Sequence, residues 1–268
     1  MLPCGRLRFE RSGAGPDAVF LHGLLGSAAQ WRGAAAGLAA RFTCWLLELP
    51  GISHSTRLDD ATLPGLRRWL EAAIAGLGLD GFHLIGSSWG GALALEFAAA
   101  SPLRTRLRRL ALVAPAHPHW TPSARQRLLL TPPWTRLGGW LVGRLSPAVH
   151  RAMLARIYGD PARLNDASVA DYSAVLHQSG LGGAVAGYAR CWRADQRRLE
   201  GELGQVSMPT LLLWGARDNV VPAATAGALR VALPHAALQV LPGLGHIPFN
   251  EDPAAFDQAL LPFLLADL

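Results

Sequence analysis

The sequence predicts an α/β fold, in which a mostly parallel sheet is flanked by helices on both faces. Short apolar segments alternate with segments of helical spacing along most of the chain, an order typical of parallel sheets. The strand segments are apolar at consecutive positions, as expected where both faces of a sheet are covered. The alternation stops after residue 114 and resumes at about residue 206, which indicates an inserted segment of a different kind.

The predicted strands differ in how exposed they should be. Residues 6–10 (Arg-Leu-Arg-Phe-Glu) alternate polar and apolar side chains, as a half-exposed strand does. Six further segments are apolar and predict buried strands: 18–21, 42–49, 82–85, 107–113, 210–214 and 238–241. Segments of helical spacing or strong helix formers predict the helices between and after them: 28–40, 63–77, 92–100, 222–233 and 253–264.

Residues 115–205 contain no convincing strand and are rich in Pro, Arg and Trp. We therefore expect an α-helical cap over residues 115–205, inserted into a core domain formed by residues 1–114 and 206–268. Four tryptophans of the cap, with Trp89 and Ile247 of the core, are candidates for the apolar lining of a binding site. The four are Trp120, Trp134, Trp140 and Trp192.

Charge is unevenly distributed along the chain. Residues 101–200 hold 15 Arg against 5 acidic residues, a balance of +10, whereas the remainder holds 10 against 14, a balance of −4; the two sum to the net charge of +6. The basic segment could favour an acidic partner or a negatively charged substrate. Its arginines could instead pair with acids of the remainder. No recognised nucleic-acid motif is present, so we expect no nucleic-acid partner.

The composition, 50% hydrophobic and 16% charged residues, is that of a globular protein. No apolar run reaches the roughly 18 residues that a transmembrane helix needs, so we expect no stable membrane insertion. The first residues show no signal-peptide pattern, and we expect a cytoplasmic monomer or homodimer.

The cysteines and the basic residues limit the chemistry. Cys4, Cys44 and Cys191 are far apart and lack metal-ligand spacing, so we expect neither a zinc site nor a disulfide framework. Cys44 lies in an apolar segment and is expected to be a small core residue. All 25 basic residues are arginine, which excludes a lysine Schiff base and a phosphate-loop lysine. We expect no metal and no cofactor.

The segment Gly86-Ser87-Ser88-Trp89-Gly90 stands between a predicted strand and a predicted helix, with no residues left for a loop. This is the Gly-x-Ser-x-Gly pattern of a nucleophile elbow, in which a sharp turn exposes a serine hydroxyl above a sheet. The two glycines allow the strand and the helix to approach closely. The pattern predicts that Ser88 is a nucleophile.

A serine nucleophile needs a base, and the base needs an orienting carboxylate. In a parallel sheet, both partners should follow the carboxyl ends of strands. Asp218 comes just after one predicted strand and His246 just after the next, so the chain order is Ser, acid, His. We therefore predict a catalytic triad of Ser88, Asp218 and His246.

These residues, the His22-Gly23 loop and Leu49-Pro50-Gly51 together resemble an α/β-hydrolase-fold serine hydrolase, similar to carboxylesterases with an inserted helical cap. The resemblance covers essentially the whole chain. It implies that the backbone amides of Leu24 and Trp89 form the oxyanion hole, and that His22 is structural.

One segment departs from the family pattern. Glu48 and Ser53 stand where similar proteins have Asp and Gly, which affects the loop beside the site, and His54 is then expected at the surface.

The resemblance also narrows the reaction. Haloalkane dehalogenases and epoxide hydrolases have Asp at the position of Ser88, and carbon–carbon bond hydrolases commonly follow the catalytic His with Trp, where this chain has Ile247. Proline iminopeptidase-like members favour a different His-Gly loop. The expected activity is hydrolysis of carboxylic esters with short to medium acyl chains. Three alternatives stay open: an esterase or thioesterase for acyl groups on an acyl carrier protein or other anionic substrates, a carbon–carbon bond hydrolase, and a non-enzymatic scaffold.

Overall fold

The computed structural model describes residues 7–52, 58–131 and 133–266. Its centre is a sheet of seven strands in the order β1-β3-β2-β4-β5-β6-β7. β1 pairs antiparallel with β3, and all other neighbours are parallel. The strands are β1 (Phe9–Ser12), β2 (Asp17–Leu21), β3 (Thr43–Leu47), β4 (Phe82–Ser87), β5 (Leu107–Val113), β6 (Thr210–Gly215) and β7 (Ala236–Leu241).

Eleven α-helices flank or extend this sheet in the described part of the chain. Those that precede the insertion are α1 (Arg32–Leu38), α2 (Leu63–Gly76) and α3 (Ser88–Ala100). Between β5 and β6 lie α4 (Ala124–Leu130), α5 (Trp134–Val142), α6 (Pro147–Ala155), α7 (Asp166–Leu176) and α8 (Leu181–Glu202). The last three are α9 (Ala226–Ala232), α10 (Pro248–Glu251) and α11 (Pro253–Leu265). The predicted fold class, an α/β hydrolase fold with a mostly parallel sheet and flanking helices, is confirmed.

The central strands are covered on both faces, as their apolar sequences predict. Every residue of β4 and of β6 is buried, and α3 is buried along nearly its whole length. Cys44 lies in β3 with no exposed surface, and burial raises the pKa of its thiol to about 12, so its prediction as a core residue is confirmed. Cys4, Ser53 and His54 lie outside the described residues.

Several predicted elements differ from the structure in their bounds, and one helix was not predicted. The first strand is Phe9–Ser12 rather than 6–10, because its antiparallel register pairs Phe9 with Leu47 and Ser12 with Cys44. The predicted helices 28–40 and 222–233 each begin with a turn of 3₁₀ helix. The short helix α10 follows His246 closely and was not predicted.

The helical segment of residues 115–205 is held to the core by buried polar contacts. The Asp195 carboxylate of α8 accepts a hydrogen bond from the Leu63 amide at 2.9 Å, at the start of α2. Arg198 of α8 donates to Glu96, whose side chain has no exposed surface on α3. Such contacts fix α8 on the core, because a buried carboxylate needs paired donors. None of the helices in the described ranges is long and apolar enough to cross a bilayer.

Candidate active site

Ser88 lies at the junction of β4 and α3. Its φ of 52° is in the left-handed region, which a residue with a Cβ rarely adopts. A methyl group on Gly86 would lie 2.4 Å from the Gly90 carbonyl oxygen, and one on Gly90 would lie 2.4 Å from the carbonyl oxygens of Leu21 and His22. Strand, helix and the loop after β2 therefore meet at distances that only glycine allows, and this packing holds Ser88 in its strained geometry.

Two loops contact Ser88. A methyl group on Gly23 would lie 3.0 Å from Ser88 Cβ and 3.6 Å from its Oγ, so the loop after β2 runs directly beside the hydroxyl. On the other side, the Ala116 amide donates to the Ser88 carbonyl oxygen at 2.9 Å. Ser88 thus contacts the segments that follow β2 and β5, at the carboxyl edge of the sheet.

Asp218 and His246 lie in contact, as predicted from their order in the chain. His246 Nδ1 is 2.8 Å from Asp218 Oδ2, and the two side chains are 6% and 0% exposed. The other carboxylate oxygen accepts from the amides of Val220 and Val221 at 2.8 and 3.0 Å. The carboxylate is therefore fixed by three hydrogen bonds, and the imidazole is oriented with Nδ1 towards it, which leaves Nε2 for other chemistry.

The loop that carries His246 is held by Glu251, a residue that the sequence did not single out. The Glu251 carboxylate accepts from the amides of Gly245 at 2.7 Å, Gly159 at 3.0 Å and Asp160 at 2.7 Å. The His246 amide also donates to the Ile157 carbonyl at 2.8 Å. The His246 loop and residues 157–160 of the helical segment are thus joined backbone to backbone. No side-chain pattern along the sequence signals this arrangement.

His22 joins the loop after β2 to the loop after β3. The Leu49 amide donates to His22 Nε2 at 3.0 Å, so Nδ1 carries the hydrogen and donates to the Gly23 carbonyl at 2.8 Å. The Glu48 carboxylate lies 3.4 Å from His22 Nε2 and is buried. The predicted structural role of His22 is confirmed, since both ring nitrogens contact the backbone or side chains of the two loops.

The residues predicted for the oxyanion hole lie in these same elements. Leu24 follows Gly23, and Trp89 is in the first turn of α3, where backbone amides have no partner within the helix. The positive end of the α3 dipole adds to the attraction for negative charge at this position.

The predicted tryptophans fall into two groups. Trp192 of α8 packs 5.1 Å from Trp89, between ring centroids, and 5.9 Å from Trp120, while Tyr188 packs 5.4 Å from Trp89. We call these four residues (Trp89, Trp120, Tyr188 and Trp192) the aromatic cluster, and one of them, Trp89, directly follows Ser88. Ile247 is also buried, directly after His246.

Trp134 and Trp140 are not part of the aromatic cluster. They are 51% and 56% exposed on α5, whose buried contact with α8 is made by Thr135 and Gly139. We therefore correct our interpretation of these two residues and leave them out of the substrate site. The sequence did not distinguish them from Trp120 and Trp192, because all four lie in segments whose helical limits were not assigned.

Among the residues that the structure describes, no group of three or more His, Cys, Asp or Glu side chains is arranged to hold a metal ion. Of the buried histidines outside the pair with Asp218, two have a clearly lowered pKa. Burial lowers the pKa of His83 and of His117 to about 4 in each case, with neighbouring positive charge as a smaller cause.

Comparison with known proteins finds esterases among the proteins that this chain resembles. The pimeloyl-[acyl-carrier protein] methyl ester esterase of Aeromonas hydrophila is 29% identical over 263 residues, covering 95% of this chain and 98% of that protein. The enzyme of the same name from Nitrosomonas europaea is 30% identical, over 93% and 96% of the two chains. The solved structure of a thermophilic esterase from Thermogutta terrifontis superposes with a TM-score of 0.77 at 24% identity, over 97% and 93%.

At that level of identity, the structural likeness shows the fold alone. The family assignment comes from the sequence model described as alpha/beta hydrolase fold, which matches residues 19–253 and so spans all three predicted catalytic positions. The chain belongs to the α/β hydrolase fold family.

Proposed function

We propose that this protein is a serine hydrolase of carboxylic esters, with Ser88, Asp218 and His246 as its catalytic triad. The observation that carries the proposal is the buried His246–Asp218 pair, with 2.8 Å between Nδ1 and Oδ2, at the same sheet edge as the strained Ser88. Membership of a hydrolase family and full-length similarity to esterases support ester hydrolysis as the reaction.

In the proposed mechanism, His246 Nε2 takes the proton from Ser88 Oγ as the oxygen attacks the ester carbonyl. The amides of Leu24 and Trp89 stabilise the negative charge on the tetrahedral intermediate. The intermediate collapses to an acyl-enzyme when His246 returns the proton to the leaving alcohol. A water molecule, activated by the same imidazole, then releases the acid and restores Ser88. Asp218 holds the imidazole through Nδ1–H and stabilises its positive form.

We further propose that residues 115–205 act as a cap over this site, on a core formed by residues 1–114 and 206–268. The aromatic cluster would line the acyl side of the site, because Trp192 of the cap packs against Trp89 beside the nucleophile. Bulky rings in this position limit the length of the acyl chain, so short to medium chains should be preferred.

A second candidate substrate is an ester of an acyl group carried by an acyl carrier protein. The similarity to two pimeloyl-[acyl-carrier protein] methyl ester esterases, along almost the whole of both chains, favours it. The basic balance of the insertion would attract an acidic carrier. The test compares kcat/KM for one acyl methyl ester, free and attached to the carrier. A preference of tenfold or more for the carrier form, on the order expected of a specific contact, supports this candidate.

The triad is tested by three substitutions on a soluble p-nitrophenyl ester. Ser88→Ala, Asp218→Asn and His246→Ala should each lower kcat by about a thousandfold or more, because each removes a group that acts in the transition state. Matched controls make the same changes at exposed positions: Ser12→Ala, Asp59→Asn and His235→Ala. Near-parental kcat for Asp218→Asn would refute the assignment of the acid. Labelling by a fluorophosphonate should be lost in Ser88→Ala and kept in the control Ser12→Ala.

A further inference from the structure

The helical segment exposes an unusual number of large apolar side chains over a short stretch. Six residues of α4 and α5 are each at least half exposed: Leu128 (56%), Leu129 (55%), Trp134 (51%), Leu137 (52%), Trp140 (56%) and Leu141 (50%). We call these six residues the apolar face. Over the rest of the described chain, large apolar side chains with comparable exposure are scattered, as at Phe9, Val231 and Val240. A contiguous exposed patch usually marks a surface that binds something.

The orientation of α5 makes this exposure a property of one helix face. Thr135 is buried, and Gly139 packs so closely on α8 that an added methyl group would lie 2.6 Å from Gly182 Cα. At 100° per residue, Leu137, Trp140 and Leu141 lie on the side opposite to this contact. A surface helix ordinarily turns its apolar side to the core. In α5 the small residues face the protein and the large apolar residues face solvent.

The charged residues of the chain segment that carries the apolar face all have one sign. No acidic residue occurs among residues 115–159, whereas five exposed arginines do: Arg125, Arg127, Arg136, Arg144 and Arg156. Arg144 lies over the Trp140 ring at 4.0 Å and donates to its carbonyl oxygen at 2.8 Å, at the end of α5. Aliphatic stems of arginine can extend apolar surface while their guanidinium groups stay in a polar layer.

We propose that the apolar face of α4 and α5 docks on an anionic phospholipid surface. Leucine and tryptophan side chains would enter the boundary between headgroups and acyl chains, and the arginines would contact lipid phosphates. A second copy of the chain fits less well, because a symmetric contact would bring arginines against arginines without acids to pair with them. An acidic protein would match the charges, yet leucine is under-represented among the residues that dominate protein interfaces.

The apolar face is connected to the proposed catalytic site. Gln126, in the first turn of α4, donates to the Val220 carbonyl at 3.0 Å, and the Val220 amide donates to the Asp218 carboxylate at 2.8 Å. Only Gln126 and Val220 separate α4 from the Asp218 carboxylate along these contacts. Docking of α4 would therefore bring the proposed catalytic site close to the lipid surface, where amphiphilic esters concentrate. This last consequence rests on the proposed function, whereas the docking itself does not.

The experiment measures the binding of the Ser88→Ala protein to vesicles by co-sedimentation, so that no ester is hydrolysed during the assay. Vesicles of phosphatidylcholine alone are compared with vesicles that also contain about one-third phosphatidylglycerol, a density at which each arginine near the surface contributes to binding. We expect binding to the anionic vesicles, weaker binding to the neutral ones, and a loss of binding at about 0.5 M salt, where charges are strongly screened.

Two variants separate the apolar and the basic contributions. Leu137→Gln/Leu141→Gln should lower partition into anionic vesicles by roughly tenfold or more, since it removes the apolar contacts and keeps the helix propensity. Leu128→Gln/Leu129→Gln repeats the test on α4. It serves if circular dichroism shows that the first variant is misfolded. Arg125→Gln/Arg136→Gln should lower binding to anionic vesicles only, again by roughly tenfold or more.

Matched controls remove the same groups elsewhere: Val231→Gln/Val240→Gln for apolar exposure and Arg41→Gln/Arg230→Gln for charge. Both should bind as the parent does. The proposal is overturned if the leucine variants bind vesicles as the parent does, or if the parent binds neither vesicle. A parental dimer that these variants convert to a monomer, without vesicle binding, would assign the face to a second copy. Binding of an acidic carrier protein instead of vesicles would assign it to a protein partner. The proposed function is tested separately, by measuring hydrolysis of soluble p-nitrophenyl butyrate by the protein with Ser88 intact. Loss of vesicle binding and loss of this activity are therefore distinguishable outcomes.

Discussion

The carboxyl group of Asp257 is a buried acid outside the site. It lies on α11 directly against α1, since a methyl group on Gly37 would be 2.0 Å from Asp257 Oδ2. Its Oδ1 is buried, and the described residues supply no hydrogen-bond partner for that atom. Burial raises the pKa of Asp257 from 3.8 to about 7, because the ionised form loses its hydration. The native state therefore retains a proton that the unfolded chain releases at lower pH.

This raised pKa predicts a pH-dependent gain of stability from Asp257→Asn. Between the unfolded pKa and about 7, the native state loses stability as pH rises, and the loss is complete above that range. The stability of the variant does not change with pH in this way, because asparagine does not titrate. The free energy of unfolding gained by the variant should grow by about 2 kcal/mol between about pH 5 and about pH 8, measured by urea denaturation. The exposed control Asp59→Asn should show no growth, and a pH-independent gain would contradict the assigned pKa.

At the scale of elements, α8 contributes Tyr188 and Trp192 to the aromatic cluster, which includes Trp89, the residue after Ser88. Trp192→Ala would open space between α8 and α3. We expect kcat/KM for a longer acyl ester, relative to the butyrate ester, to rise by roughly tenfold, the scale on which an apolar pocket discriminates methylene groups. Phe9→Ala removes an exposed aromatic ring at the far edge of the sheet and should leave the ratio unchanged. An unchanged ratio in Trp192→Ala would remove this cluster from the substrate site.

The elements predicted well from the sequence are those whose environment is uniform along their length. β6 occupies Thr210–Gly215, one residue more than the predicted range 210–214, because its apolar run lies in a strand that is buried at every position. The helix α10 was missed because four residues after a loop show no helical period. Within residues 115–205, helical content was predicted, but which side of each helix faces the core depends on contacts such as that of Gly139 with Gly182.

The same distinction applies to the site. Ser88, Asp218 and His246 follow strand ends in a recognisable order, so sequence reasoning could find them, and the structure brings the last two into contact. Glu251 could not be found in this way, because its partners are backbone amides of any sequence. Two of them, Gly159 and Asp160, are 92 and 91 residues away along the chain.

Across the whole molecule, the arginines of the basic segment fall into two sets. Arg163 pairs with Asp252 and Arg198 with Glu96, two acids of the remainder of the chain, as one alternative expected, whereas Arg151 pairs with Asp166 within the segment. The five arginines around the apolar face are exposed instead. Exposed charge of one sign raises the encounter rate of an anion, and salt screens the effect over about 10 Å at 0.1 M.

This distribution predicts a salt effect on catalysis. The value of kcat/KM for a carboxylate-bearing ester should fall steeply from low salt to about 0.5 M, whereas the value for its neutral analogue should stay nearly flat. Arg125→Gln/Arg136→Gln should flatten the curve of the anionic ester, and Arg41→Gln/Arg230→Gln should not. Parallel curves for the two esters would assign the exposed arginines no part in substrate encounter.

The contact between residues 157–160 and the His246 loop bears on how this protein can be re-engineered. A methyl group on Gly159 would lie 2.3 Å from the Gly243 carbonyl oxygen, and one on Gly245 would lie 2.4 Å from the Gly159 amide nitrogen. The helical segment is therefore not an interchangeable module, since the backbone that holds the His246 amide belongs to it. A chimaera that takes residues 115–205 from a relative must take residues 243–251 from the same parent, and a deletion of the segment removes the carbonyl group that binds the His246 amide.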